Sequence, residues 1–474
     1  MKKTVFTALI FALAGAAGAA DFTDLAVNAS SLKAAAEQKT FDVTPEISDI
    51  LASAEKDGRW YGKDSRQARM QFNSYMLYRV PANYTGAVSQ LLTNSYQKQK
   101  ISELVDLQLQ HMYGAFTMHP GFVDNPGIPS GDYKVTLLGA EKVPNEPYAK
   151  ITYSYEDLAV FSSKLFRGSG AARINFALPK DPVTVYSKGF PSPSSRLNRC
   201  TDSHYNSEGD FWYFWNPYQD GCPLTGADLV GVTTDLRPVD MTRGTYPEYA
   251  RLYGENGNGN ILQVSYLVGV DENFQSGDLG KKTFNEAFAG LKKAGFRVTV
   301  DEPRRKQLTF NAGAKKTRVQ MLLTDPNSAE FAVEAVRGMQ TADIFLYDGH
   351  SGLGGYLDPE RLVADSGRPL AIPKDKYQIF VFQGCSTYAY YNSAYFRLKK
   401  SGSDPKGTKN LDIITTGTGA AFDVGAAVDA SFITSVTTGQ RPSWQTIIDR
   451  MSAAEGENSA LTHINGDEDN PRAP

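Results

Sequence analysis

From about residue 246 of this 474-residue chain, unbroken apolar runs alternate with stretches of helical spacing, a pattern that few architectures can satisfy. ILQVSYLVGV (261–270), ADIFLY, YQIFVF and LDIITT are apolar runs without the sustained polar alternation of a strand with one wet face, and FRVTV is a further short strand. Such strands must be covered on both sides, and in a parallel sheet the crossover helices do the covering. KKTFNEAFAGLKKAG (281–295), SAEFAVEAVRGMQ (328–340) and STYAYYNSAYFRLKK have the spacing for that task, and KQLTFNAGAKKTRVQMLL reads as a hairpin. The expectation over 246–474 is an α/β domain with a mostly parallel sheet flanked by helices, ending in a short acidic tail.

The texture before residue 246 differs. Residues 21–130 read as a helical region, on segments such as PEISDILASAEKDG and YTGAVSQLLTNSYQKQKISELVDLQLQHMYG. Residues 131–245 read as β-rich and antiparallel, with alternation in YKVTLLGAEKV, YAKITYSYEDLAVF, ARINFAL and VTVYSKG. Cys200 and Cys222 bound an aromatic, polar stretch, so a disulfide closing that loop is the economical pairing and Cys385 carries the free thiol. Trp212, Phe214 and Trp215 are expected to pack beneath the stapled segment as its core. GENGNGN precedes a strand instead of following one, the reverse of a dinucleotide-binding turn, and reads as a plain turn.

Residues 1–20, MKKTVFTALIFALAGAAGAA, have the paired lysines, apolar stretch and small residues of a cleaved export signal, which implies a periplasmic or secreted protein. No later run is long and apolar enough to suggest stable membrane insertion, although contact with the cell envelope fits such a location. A net charge of -3, from 49 basic and 52 acidic residues, gives no basic surface for nucleic acid. The histidines, His111, His119, His204, His350 and His463, have no partners at metal-ligand spacing, so neither a metal nor another cofactor is expected.

Chemistry concentrates at two strand ends. Side chains at the carboxyl ends of neighbouring parallel strands converge on one crevice. ADIFLY runs into Asp348, Gly349 and His350, and YQIFVF into Gln383, Gly384 and Cys385. An imidazole beside a thiol can take its proton, and the thiolate is the attacking species in acyl transfer. Gly349, Gly352, Gly354, Gly355 and Gly384 leave room for a substrate backbone to approach.

In this respect ADIFLYDGHSG and YQIFVFQGCS resemble the caspase, legumain and gingipain superfamily of cysteine peptidases, over about residues 258–440. The shared pattern is a hydrophobic strand ending in His-Gly, a spacer, and a hydrophobic strand ending in the nucleophilic Cys. The resemblance implies a caspase-like domain with His350 as general acid/base, Cys385 as nucleophile and a peptide or protein substrate. It further implies an oxyanion held by the backbone N–H groups of Cys385 and Ser351, with Gln383 lining a substrate pocket. Asp348 is the remaining charged residue at these ends and a second candidate for substrate contact. Ser351 stands where the family has glycine, with Gly352 one place later.

Two other readings compete with a peptidase. GHSGLGG is close to a lipase nucleophile elbow, which would make Ser351 the nucleophile of a serine hydrolase, but the second glycine of G-x-S-x-G falls on Leu353. Alternatively the chain is a catalytically inactive secreted protein that binds a partner or envelope component on a peptidase-like scaffold.

Overall fold

A computed structural model describes residues 64–166, 170–189, 200–201, 209–239, 244–254, 261–457 and 459–474. Residues 1–20, read from the sequence as an export signal, the PEISDILASAEKDG segment, residues 255–260 of GENGNGN and His204 lie outside these residues. The chain divides into two compact units, one centred on Gln67–Val239 and the other on Asp240–Pro474.

The first unit contains a sheet ordered β2-β4-β1-β6-β5, with β3 pairing β4. Its strands are β1 (Ser65–Arg79), β2 (Gly127–Ile128), β3 (Lys134–Lys142), β4 (Tyr148–Ser162), β5 (Ala172–Pro179) and β6 (Leu229–Pro238). Within the region expected to be helical over residues 21–130, Ser65–Arg79 is a strand instead. Ala68, Met70, Phe72, Ser74, Met76 and Tyr78 are buried at every second position, a period of two that only a strand can present to one core. Helices α1 (Ser95–Gln110) and α2 (Met112–Met118) follow it, and belong to the same unit as the sheet. Phe116 of α2 packs 5.1 Å from Phe161 and 5.0 Å from Phe176, ring centre to ring centre.

Cys200 and Cys222 form a disulfide, and Cys385 is free. Trp215 is wholly buried and donates from Nε1 to Ala177 O at 3.0 Å, while Trp212 is buried and Phe214 only half-buried. Between Cys200 and Cys222, the two tryptophans therefore supply core as expected, whereas Phe214 stays at the surface. A short helix, α3 (Val185–Gly189), leads towards this segment.

The second unit holds an eight-stranded sheet ordered β14-β13-β12-β11-β7-β10-β9-β8. The strands are β7 (Ile261–Gly269), β8 (Arg297–Asp301), β9 (Arg305–Ala312), β10 (Lys315–Thr324), β11 (Ile344–Asp348), β12 (Gln378–Gln383), β13 (Leu411–Thr415) and β14 (His463–Asn465). β10, β7, β11, β12 and β13 run parallel to one another, whereas β8, β9 and β14 are antiparallel additions at the two sides. The helices are α4 (Tyr249–Leu252), α5 (Leu279–Lys293), α6 (Ala329–Thr341), α7 (Pro359–Ser366), α8 (Thr387–Lys399), α9 (Phe422–Thr437) and α10 (Trp444–Glu455). Their starts carry their own caps: Asp278, Ser328, Asp358 and Ser443 each accept a backbone N–H from the first turn of α5, α6, α7 and α10.

Both faces of the sheet are covered, as its apolar strands require. One layer buries Phe284, Phe288, Val428, Phe432, Ile447 and Met451 of α5, α9 and α10 against alternate strand residues such as Val264, Leu346 and Val381. The opposite layer buries Phe331, Val336, Tyr391 and Tyr395 of α6 and α8 against Phe345, Phe380 and Phe382. The hairpin expected around KQLTFNAGAKKTRVQMLL is β9 and β10.

The acidic tail is not a tail. His463 and Ile464 are buried on β14, Asp467 accepts from Thr245 Oγ1 at 2.9 Å, and Asn470 is buried against Asp412. Hydrogen bonds between these side chains and the rest of the unit override the polar composition that marked this segment as surface.

Candidate active site

The strand order fixes where a site can form. β7 has β10 on one side and β11 on the other, so the connections leaving the sheet's carboxyl edge diverge between β7 and β11. A crevice opens at such a reversal of order. Asp271 follows β7 there, His350 follows β11, and Cys385 follows β12, the next strand out, whose Gln383 is in register with Asp348.

His350 Nε2 lies 2.7 Å from Asp271 Oδ1, with side chains 45% and 25% exposed. A carboxylate only accepts, so it holds the proton on Nε2 and leaves the Nδ1 lone pair free to act as a base. Asp271 is itself held. The carboxyl of Asp278 accepts the backbone N–H groups of Asp271, Glu272, Asn273 and Lys281. Burial alone would raise the pKa of Asp278, but these donors outweigh it and hold the group below its ordinary range. The ring of Phe422, which opens α9, stands edge-on to the imidazole at 5.2 Å.

Cys385 is partly exposed. Burial pushes its thiol above the ordinary value, and a hydrogen bond from the backbone of Ala420 pulls the other way. Ala420 and Phe422 belong to one segment leaving β13, so that segment touches both the thiol and the imidazole. Among the described residues no hydrogen bond joins His350 to Cys385; the structure brings them to adjacent strand ends of one edge.

The backbone between these groups is tightly packed. A Cβ on Gly384 would lie 2.6 Å from Gly349 O, so only glycine lets the two strand ends come this close. Gly349 has φ 152°, and Gly352, Leu353 and Gly354 have φ of 57°, 53° and 87° in succession. Among the described residues, the N–H groups of Ser351 and Cys385 have no acceptor within the protein.

Asp348 and Gln383, the residues expected at the substrate, are buried. They are 3% and 1% exposed, packed at the ends of β11 and β12. Ser351 is 4% exposed and runs into a turn, not a helix, so the strand–nucleophile–helix elbow of a serine hydrolase is absent around it. His111, His119 and His463 are buried and held well below the ordinary imidazole range by desolvation, at about 4, about 3 and about 3, as core residues. Among the described residues there is no group of three or more metal-ligating side chains, and no helix is long and apolar enough to cross a membrane.

Asp348 faces Asp429 of α9, and Tyr266 of β7 donates to Asp429. Desolvation raises Asp348 to about 6, opposed by the hydrogen bond with Asp429. Asp429 is raised well above the ordinary range, by desolvation and then by the charge of Asp348. Two carboxyls buried together need a proton between them. Both groups are raised, so between about pH 4 and their folded values the native state holds protons that the unfolded chain has released, and stability falls as pH rises. Asp429→Asn keeps an acceptor for Tyr266 and removes one of these titrations. Its stability relative to the parent is expected to climb by about 1.4 kcal/mol per pH unit across that window. Urea midpoints at about pH 5, 6.5 and 8 check this, and parallel curves for the two proteins would disprove it.

No protein-family model matches the chain, and no curated protein matches it.

Proposed function

We propose that the second unit is the catalytic domain of an exported cysteine endopeptidase of caspase-like type, with Cys385 as nucleophile, His350 as general acid/base and Asp271 orienting His350. One observation carries this reading: an imidazole fixed by a carboxylate and a free thiol end adjacent parallel strands beside the reversal of strand order. The order of elements supports it, with α6 preceding the His350 strand and β13 following the Cys385 strand, as in the resemblance drawn from the sequence.

The chemistry balances with these groups alone. Nδ1 of His350 takes the thiol proton, and the sulfur attacks the peptide carbonyl carbon. As the C–S bond forms, the carbonyl π pair moves to oxygen, where the N–H groups of Ser351 and Cys385 receive the charge. The π bond re-forms, the C–N bond breaks, and His350 passes its proton to the departing amine. Water then hydrolyses the thioester, with His350 taking the proton of the water and returning it to sulfur. The resting thiol is raised by burial and is not bonded to His350, so its deprotonation accompanies substrate binding.

The test uses the purified full chain with a mixture of unstructured peptides, read by mass spectrometry before and after alkylation with iodoacetamide. Cleavage lost in step with alkylation of Cys385 is the expected result. Cleavage indifferent to alkylation, or lost instead with Ser351→Ala, overturns the reading. The raised thiol and its lack of a bond to His350 favour one rival, an inactive secreted binding protein on the same scaffold. A folded protein whose Cys385 alkylates but which cleaves nothing would support that rival.

A further inference from the structure

The two N–H groups assigned to the oxyanion belong to peptide units whose opposite ends are pinned. In a trans peptide the C=O and the following N–H point in opposite directions, so holding the oxygen on one side aims the hydrogen at the other. The C=O paired with the Ser351 N–H is that of His350, and Tyr347 Oη donates to it at 2.6 Å. The C=O paired with the Cys385 N–H is that of Gly384, and Thr416 Oγ1 donates to it. Tyr347 and Thr416 are both wholly buried.

Each pin is supported by its surroundings. Tyr347 reaches the His350 carbonyl because Gly349 has no side chain; a Cβ there would lie 2.8 Å from the phenol oxygen. Thr416 Oγ1 is 3.0 Å from Thr387 Oγ1, which donates to Phe382 O at 2.8 Å and accepts the Thr416 N–H at 2.9 Å. Tyr347 lies on β11, the strand that ends before His350, and Thr416 directly follows β13, on the far side of the Cys385 strand. The two hydroxyls therefore approach their peptide units from different elements, and among the described residues the N–H on the other end of each unit has no backbone acceptor.

We infer that Tyr347 and Thr416 are positioning residues that set the oxyanion donors: their hydroxyls fix the peptide planes whose N–H groups stabilise the charge developing on the substrate oxygen. This rests on the peptidase reading above. Neither side chain touches substrate, and each acts through a backbone amide.

The test compares two reactions of the same thiol. Alkylation by iodoacetamide is displacement at a saturated carbon and creates no oxyanion, whereas peptide hydrolysis and capture of a peptide aldehyde both do. Tyr347→Phe and Thr416→Val are each expected to lower kcat about 10- to 100-fold with KM changed less than about 3-fold. Aldehyde affinity should weaken by a similar factor, and the alkylation rate of Cys385 should stay within about 2-fold. Thr416→Ser, which keeps the hydroxyl, should restore most of kcat. Thermal unfolding shows whether each variant is folded at the assay temperature.

If kcat and aldehyde capture survive in folded Tyr347→Phe and Thr416→Val, the positioning role is overturned while the peptidase stands. Equal loss of alkylation and hydrolysis, or no rescue by Thr416→Ser, reduces the pins to general supports of the fold and also overturns it. A parent protein that alkylates yet neither cleaves peptides nor captures the aldehyde removes the peptidase reading itself, and this role with it.

Discussion

Asp271→Asn is expected to lower kcat/KM for peptide hydrolysis by about 100- to 1,000-fold at neutral pH while leaving the thermal midpoint nearly unchanged. The amide can turn its NH2 towards Nε2 of His350, which a carboxylate cannot do, and the proton then moves to Nδ1, where the base is needed. It also removes the negative charge that stabilises the imidazolium formed when the thiol gives up its proton. The fold has little to lose. The loop bearing Asp271 is tied by its backbone to the Asp278 carboxyl, and among the described residues the Asp271 side chain bonds only His350. Steady-state kinetics with a cleaved peptide, alongside calorimetry, measures both quantities. Activity within a few-fold of the parent would show that Asp271 does not orient the base.

Gly384→Ala is expected to abolish measurable hydrolysis and to cost about 1–3 kcal/mol of stability. The added carbon would sit 2.6 Å from Gly349 O and 3.3 Å from Thr387 Cγ2. The first neighbour is backbone and cannot swing aside, so the ends of β11 and β12 must part. That separation carries Cys385 away from His350 and tilts the peptide unit whose N–H faces the crevice. Chemical denaturation reports the stability and peptide cleavage the activity. A variant as active as the parent would mean that the two strand ends need not approach this closely for catalysis.

How far the sequence alone discloses this molecule depends on the length scale of each signal. The apolar runs ending at Asp348 and Gln383 announce buried parallel strands because both of their faces must be dry, and the structure has them adjacent and in register. The Cys200–Cys222 pairing is equally open to arithmetic, with three cysteines and one evident loop. Asp271 is not. It meets His350 from 79 positions away, and its role exists only because β7 and β11 are neighbours, a fact of topology that no local pattern contains. Asp348 and Gln383 end their strands where the apolar runs stop, but their burial follows from packing that composition does not disclose. β1 hides for a different reason. Its alternation of Met70, Phe72, Met76 and Tyr78 is clear, yet helical spacing on either side draws the whole stretch into one period. The pinning hydroxyls of Tyr347 and Thr416 read as ordinary strand residues until their partners are visible.

The sides of the eight-stranded sheet bear on how the protein behaves at high concentration. An open sheet offers its last strand's free amides and carbonyls to any passing chain, and a second copy is the nearest candidate. Here one border is β14, only three residues long, and the other is β8, which begins at Arg297, ends at Asp301 and carries a register shift between Val298 and Val300. Brevity at one margin, and charge with a local kink at the other, give an incoming strand too few consecutive hydrogen bonds to hold it. The sheet is thus terminated by its own chemistry, which guards a long apolar interior against growing into fibres.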